Sequence, residues 1–119
     1  MQDHFLEGLI SLVHNSPITF DITLTTPGGV IRGTLISTKE YFDRFAESFA
    51  SAWPGEGGDV LRKSFNQWGD QRSVEGGFDA FVHLKNAHYL DGTGMFPVGP
   101  GVLWRGRVAE VSGYTLGQG

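Results

Sequence analysis

A strict alternation of apolar and polar residues over 18–25 most tightly limits how this chain can fold. The apolar members of the alternation are Ile18, Phe20, Ile22 and Leu24. Because successive side chains of a strand point to opposite faces, the pattern predicts a strand with one buried face.

The segment that follows predicts a hairpin. Residues 26–29 read Thr-Pro-Gly-Gly, and a central Pro-Gly pair is typical of a type II turn. Residues 30–36 are therefore expected to return as the partner strand. Gly33 interrupts that strand, which predicts a bulge or a sharp bend of the kind that small barrels need.

Helical periodicity indicates three helices, at residues 3–15, 38–53 and 60–68. Ser37 and Glu40 have the spacing of a capping box at the start of the second helix. Asp3 and Asp59 are candidate N-caps for the other two. Gly69 is expected to end the third helix, and the polar, glycine-containing residues 69–79 are expected to form a loop.

The remaining sequence predicts strands at 80–90, 102–111 and 114–117, with a loop over 91–101. Five short strands would expose long edges in an open sheet, so a small closed barrel is expected.

Paired glycines at 28–29, 57–58 and 76–77 are expected in turns or loops. The predicted fold is α+β, a single domain over residues 1–119. The expected core residues are Phe20, Ile22, Leu35, Phe45, Leu84 and Val108.

The cysteine content, the net charge and the lack of long apolar runs exclude or disfavour several classes of function. The 119 residues include no cysteine, which excludes disulfides and thiolate zinc sites, and the net charge is −4. We find no signal peptide and no apolar run long enough to cross a membrane, so a cytoplasmic protein without membrane partners is expected. The acidic balance argues against nucleic acid as a partner.

The polar residues form no recognisable catalytic or metal-binding motif. The histidines His4, His14, His83 and His88 lack metal-ligand spacing. The acidic residues Glu40, Asp79, Asp91 and Glu110 are not paired in sequence for acid–base catalysis. We therefore expect no enzymatic activity and no cofactor. A small hydrolase or a ligand-binding barrel would need a motif that is absent here.

Aromatic and arginine residues are the best candidates for a binding surface, because tryptophan, tyrosine and arginine are enriched in interface hot spots. Arg105 and Arg107 alternate with Trp104 and Gly106, so the two arginines should share one strand face. The second predicted helix carries more ring area than a small core needs. The candidate interaction residues are Tyr41, Phe42, Phe45, Trp104, Arg105 and Arg107.

Three sequence blocks resemble the gas-vesicle accessory protein U family. They are GTLISTKEYFDRFAESF (33–49), FVHLKNAHYL (81–90) and LWRGRVAEVSGYTLG (103–117). The segment 54–79 is not a distinctive match. Some members carry a polar C-terminal tail, whereas this sequence stops at Gly119, so the resemblance does not carry over any function that resides in such a tail.

A second resemblance, at the level of fold, is to Sm-like barrels. VHLKNA (82–87) is similar to the fourth strand of that fold, and Arg105-Gly106 is similar to a step in its second motif. The resemblance implies a five-stranded Sm-like or SH3-like barrel that opens with an N-terminal helix. The order of the predicted elements adds a helical insertion between strands 2 and 3. The RNA-reading loop of that family should follow the strand with Gly33, where a capped helix stands instead.

The gas-vesicle resemblance implies a non-enzymatic gas-vesicle accessory protein that acts by protein–protein contact in vesicle assembly or clustering. The implied partners are the gas-vesicle shell or other gas-vesicle proteins, together with self-association. The implied location is the cytoplasm, on the vesicles. The alternative is an Sm-like nucleic-acid-binding module, for which affinity should fall steeply with salt.

Overall fold

Helices and strands follow one another in a mixed α+β order in the computed structural model, which describes residues 4–53, 55–75 and 81–117. The helices are α1 (His4–Asn15), α2 (Thr38–Ala50) and α3 (Glu56–Glu75). The strands are β1 (Phe20–Thr26), β2 (Gly29–Ile36), β3 (Phe81–Asp91), β4 (Gly94–Phe96), β5 (Val102–Arg107) and β6 (Gly113–Leu116). The predicted α+β class, the N-terminal helix and the helical insertion after the second strand are confirmed.

The strands form one antiparallel sheet in the order β4-β3-β2-β1-β6, and β5 also pairs with β3. The predicted hairpin is confirmed, because β1 and β2 pair from Phe20 opposite Leu35 to Thr26 opposite Gly29. The long strand β3 has room for two partners on one edge. Its first part pairs with β5, and its end pairs with β4.

The predicted five-stranded closed barrel is wrong in two respects. A sixth strand, β4, lies in the expected loop 91–101. Its turn is held by the Asp91 carboxylate, which accepts hydrogen bonds from the backbone N–H groups of Thr93 (2.7 Å) and Gly94 (2.9 Å). In the part of the chain that the structure describes, β6 pairs with β1 and β5 with β3, so the sheet stays open.

Helix α1 covers the apolar face of the sheet. In a closed barrel, that face would be buried by the sheet itself. The core joins Leu6, Leu9, Ile10 and Val13 of α1 to Ile22, Leu24, Ile31, Leu35, Val82, Leu84, Ala87 and Val108. Of the predicted core residues, Ile22, Leu35, Leu84 and Val108 are buried. Phe20 is partly buried against this core, whereas Phe45 lies outside it on α2, also partly buried.

A β-bulge in β3 confirms the irregularity predicted at Gly33. Arg32 and Thr34 pair with His88 and Lys85, so two residues of β3, Asn86 and Ala87, oppose Gly33. Asn86 takes the left-handed conformation, with φ of 51°. A Cβ on Gly33 would lie 3.0 Å from the Lys85 carbonyl oxygen, so glycine lets the strands approach closely at the bulge.

Two segments are more helical than predicted. Helix α3 runs from Glu56 to Glu75, beyond the predicted 60–68, so Gly57 and Gly58 lie in its first turn. Gly69 does not end the helix, because an interior glycine costs only about 1 kcal/mol. Likewise the predicted strand 102–111 stops at Arg107, and Val108–Glu110 forms a 3-10 turn. The predicted turn at 76–77 and the proposed cap Asp3 lie outside the described residues.

Candidate protein-binding surface

Helix α2 carries the aromatic side chains of the candidate surface. The Ser37 hydroxyl accepts a hydrogen bond from the Glu40 N–H over 3.0 Å, which confirms Ser37 as the N-cap. Because residues four apart lie on one helical face, Tyr41, Phe45 and Phe49 form a row along α2.

Helix α2 packs on the face of β3 that points away from the core. Val82 and Leu84 enter the core, so the alternate residues Phe81, His83 and Lys85 face the other way. His83 is only 1% exposed. Its ring centre lies 4.7 Å from that of Tyr41 on α2.

Arg105 connects the two strands to this helix. Its Nε donates a hydrogen bond to His83 Nε2 over 3.1 Å. Its guanidinium carbon lies 3.7 Å from the ring centre of Phe81 and 6.0 Å from that of Phe42. These distances fit cation–π contacts, so Arg105 helps to hold α2, β3 and β5 together.

The charge of Arg105 also acts on Tyr41. Burial raises the pKa of the Tyr41 hydroxyl above its ordinary value of 10.0, and the positive charge of Arg105 offsets only part of that rise. Tyr41 is therefore a neutral hydroxyl at physiological pH.

Six rings on α2 and α3 form a continuous series, which we call the aromatic array. Its members are Tyr41, Phe42, Phe45, Phe49, Phe65 and Trp68. Phe65 joins the two helices, because its centre lies 5.3 Å from that of Phe45 and 5.2 Å from that of Trp68. The outer members stay accessible: Phe49 is 43% and Trp68 50% exposed.

A charged cluster lies beside the array. Glu40 Oε2 accepts hydrogen bonds from Lys85 Nζ over 3.0 Å and from Arg44 Nε over 2.6 Å. Partial burial raises the pKa of the Glu40 carboxyl, but the hydrogen bonds and charges of Arg44 and Lys85 outweigh it and leave the pKa below the ordinary 4.5.

A groove runs between α2 and the start of β5, and we call it the α2–β5 groove. It consists of two adjoining clefts of about 420 Å³ and about 220 Å³. Both clefts share the same walls, formed by Ser48, Gly101, Val102 and Leu103. The larger cleft adds Phe45 and Phe49, and the smaller adds Arg44, Lys85 and Asn86.

The structure brings four of the six predicted interaction residues together, namely Tyr41, Phe42, Phe45 and Arg105. Arg107 is exposed and shares a face of β5 with Arg105, as the alternation predicts. Trp104 lies on the opposite face, packed against the core, and its Nε1–H donates to the Tyr89 hydroxyl over 3.1 Å.

Among the other polar candidates, His14 and Asp91 have local partners. In the described ranges, no three acidic or histidine side chains converge in a way that could hold a metal ion. His14 Nε2 accepts from the Thr38 N–H (3.4 Å) at the start of α2. Hydrogen bonds from Thr93, and secondarily from Gly94, lower the pKa of Asp91. Asp79 lies outside the described residues.

The predicted interaction set omitted several residues that the structure places at this surface. Phe49 and Trp68 extend the aromatic array, and Arg44 and Lys85 line the groove. The sequence did contain a signal for Phe49, because it follows Tyr41 and Phe45 at helical spacing. Alternation along β3 places Lys85 on the same strand face as His83, but only the tertiary structure shows that α2 packs on that face.

The chain resembles one known protein family. A family model described as gas vesicle protein GvpU-like matches residues 3–119. No curated protein and no solved structure matches the chain. The family match lends no support to the nucleic-acid alternative. In the described portion of the chain, no helix combines the length and apolar character needed to cross a bilayer.

Proposed function

Since this chain belongs to the GvpU-like family of gas vesicle proteins, we propose that it is a non-enzymatic accessory protein that acts by protein–protein contact. Its role is in the assembly or the clustering of vesicles. Its partners are the vesicle shell or other gas-vesicle proteins, and it works in the cytoplasm on the vesicle surface.

The observation that carries this proposal is the aromatic array together with the arginines beside it. Phe49 and Trp68 are large apolar side chains that remain about half-exposed, a feature typical of interaction surfaces. The array reaches Arg105 through Phe42, and Arg107 extends the same strand face into solvent. Exposed tryptophan and arginine are the side chains most often found as interface anchors.

Self-association is supported by the open sheet. In the described strands, β6 pairs on one side with β1, and β5 pairs on one side with β3. An open edge presents backbone N–H and C=O groups that can pair with a strand of another copy. If the paired copies are bound to different vesicles, such pairing would link those vesicles.

Co-flotation with intact gas vesicles tests the proposal. The parent protein should rise with vesicles during centrifugation. Trp68→Ser and Arg107→Ala should each lower the floating fraction several-fold, because each removes an accessible anchor. Arg107→Lys should recover part of the loss, since lysine keeps the charge but not the planar guanidinium.

Lys63→Ala is the matched control, because Lys63 is an exposed cation on α3 and should float like the parent. Thermal melting confirms that each variant is folded, and sedimentation reports self-association. The proposal fails if the parent neither floats with vesicles nor associates with itself.

A further inference from the structure

The α2–β5 groove has two chemically different ends. Phe45 and Phe49 form an aromatic wall at one end. Arg44 and Lys85 line the other end, and both are cations. An occupant that matches both ends must place an apolar side chain beside an anionic one.

At the cationic end, two cations share one carboxylate. Arg44 and Lys85 bind the same oxygen of one carboxylate, Glu40, so two positive charges face one negative charge. The two nearest acidic residues of α2 have other partners. Asp43 pairs with Lys39 over 2.9 Å, and Glu47 pairs with Arg62 over 2.9 Å. The charge at this end therefore favours an acidic group.

The floor of the groove is backbone held by the bulge. The N–H of Gly101 donates to the Asn86 side-chain oxygen over 3.0 Å. A Cβ on Gly101 would lie 2.3 Å from the Asn86 carbonyl carbon, so the two backbones are in direct contact. Next to it, Val102 and Leu103 belong to β5, which among the described strands pairs only with β3. A preformed floor beside a strand edge suits an extended segment better than a helix.

We propose that the α2–β5 groove binds an extended peptide segment of a partner protein in which an aliphatic or aromatic residue is next to an acidic residue. The apolar side chain lies on Phe45 and Phe49, and the carboxylate pairs with Arg44 and Lys85. This inference rests on the proposed function, and it specifies the chemistry of the partner.

Synthetic peptides test the inference without requiring a known partner. The probe is a fluorescently labelled peptide, Gly-Ser-Leu-Phe-Asp-Glu-Ser-Gly, titrated with the full chain and followed by anisotropy. One control replaces Asp-Glu with Lys-Lys, and a second replaces Leu-Phe with Ser-Ser. The probe should bind, and each control peptide should bind about tenfold more weakly, because each loses one end of the groove.

Variants of the protein assign the binding to the groove. Phe49→Ser and Lys85→Gln should each weaken probe binding at least about fivefold. Phe96→Ser and Lys63→Gln are the matched controls, exposed and outside the groove, and should bind like the parent. If Lys85→Gln does not fold, Arg44→Gln tests the same end from the partly exposed surface of α2.

The outcomes separate this inference from the proposed function. Equal binding of the acidic and basic peptides, or no binding by the folded parent, overturns the inference, while loss of flotation in Arg107→Ala would still support the function. Probe binding that is lost in Phe49→Ser supports the inference, even if the parent does not float with vesicles and the proposed function fails.

Discussion

The side-chain Nε of Arg105 donates a hydrogen bond to Nε2 of His83 over 3.1 Å, inside a layer of aromatic rings. As the acceptor, Nε2 must be unprotonated, so His83 is a neutral ring with its proton on Nδ1. This single contact joins β5 to the buried side chain of β3 on which α2 packs.

Arg105→Ala should therefore destabilise the fold by about 1–3 kcal/mol, since it removes a donor from a buried acceptor together with the cation–π contact to Phe81. Arg107→Ala, two residues along the same strand, should change stability by less than about 0.5 kcal/mol because Arg107 is exposed. Urea unfolding of the two variants measures the difference. Equal losses would show that the Arg105–His83 contact does not hold the helix to the sheet.

The Glu40 cluster predicts acid sensitivity. Because the pKa of Glu40 is below the ordinary 4.5 in the folded protein, its contribution to stability is present above pH 4.5 and is lost as pH falls through the lowered value. The stability of the parent should exceed that of Glu40→Gln at about pH 7, and the difference should shrink by about pH 3. Chemical unfolding at both pH values tests this expectation. A gap that stays constant with pH would contradict it.

Two neighbouring glycines of α3 should respond oppositely to alanine. Nothing lies within 4 Å of a Cβ at Gly57, so Gly57→Ala should stabilise the helix by about 0.5–1 kcal/mol. A Cβ at Gly58 would lie 2.1 Å from the Trp53 carbonyl oxygen and 2.9 Å from that of Ala50. Gly58→Ala must shift the segment from Ala50 to Trp53, where α2 ends, and should cost about 1–3 kcal/mol. Thermal melting of both variants decides the matter, and melting shifts of the same sign would refute the packing described here.

The fourth prediction concerns the close contact between Gly101 and the bulge residue Asn86. Gly101→Ala would push a Cβ into the backbone of Asn86, which cannot move without breaking the β3–β5 pairing. It should cost about 1–3 kcal/mol and reduce peptide binding in the α2–β5 groove. Gly92→Ala is the control, because nothing lies within 4 Å of a Cβ there. Fluorescence-monitored unfolding compares the two. If Gly101→Ala matches Gly92→Ala, the groove floor is not fixed by this contact.

Local chemistry determined much of the fold. The alternation in β1, the hairpin turn at 26–29 and the Ser37 cap each depend on residues within a few positions of one another. The turn itself is not the predicted type II, because Gly28 lacks the positive φ that this type needs. Gly33 likewise marked the bulge, because a glycine inside a strand is a local signal of close backbone approach. Helical periodicity likewise predicted α1, whose Leu6, Leu9, Ile10 and Val13 lie in the core, whereas Phe5 and Leu12 of the same helix are exposed.

Tertiary structure decided what depended on distant residues. The sheet stays open because α1 covers the apolar face, and β4 forms because the end of the long strand β3 offers it an edge. Arg105 was a plausible anchor in the sequence, yet only strand pairing placed it on His83 and left Arg107 exposed. The groove forms where α2, the bulge in β3 and Gly101 come together in space. Gly101 lies more than 50 residues after the first residue of α2. Such long-range contacts are selected by packing and register, which local patterns do not encode.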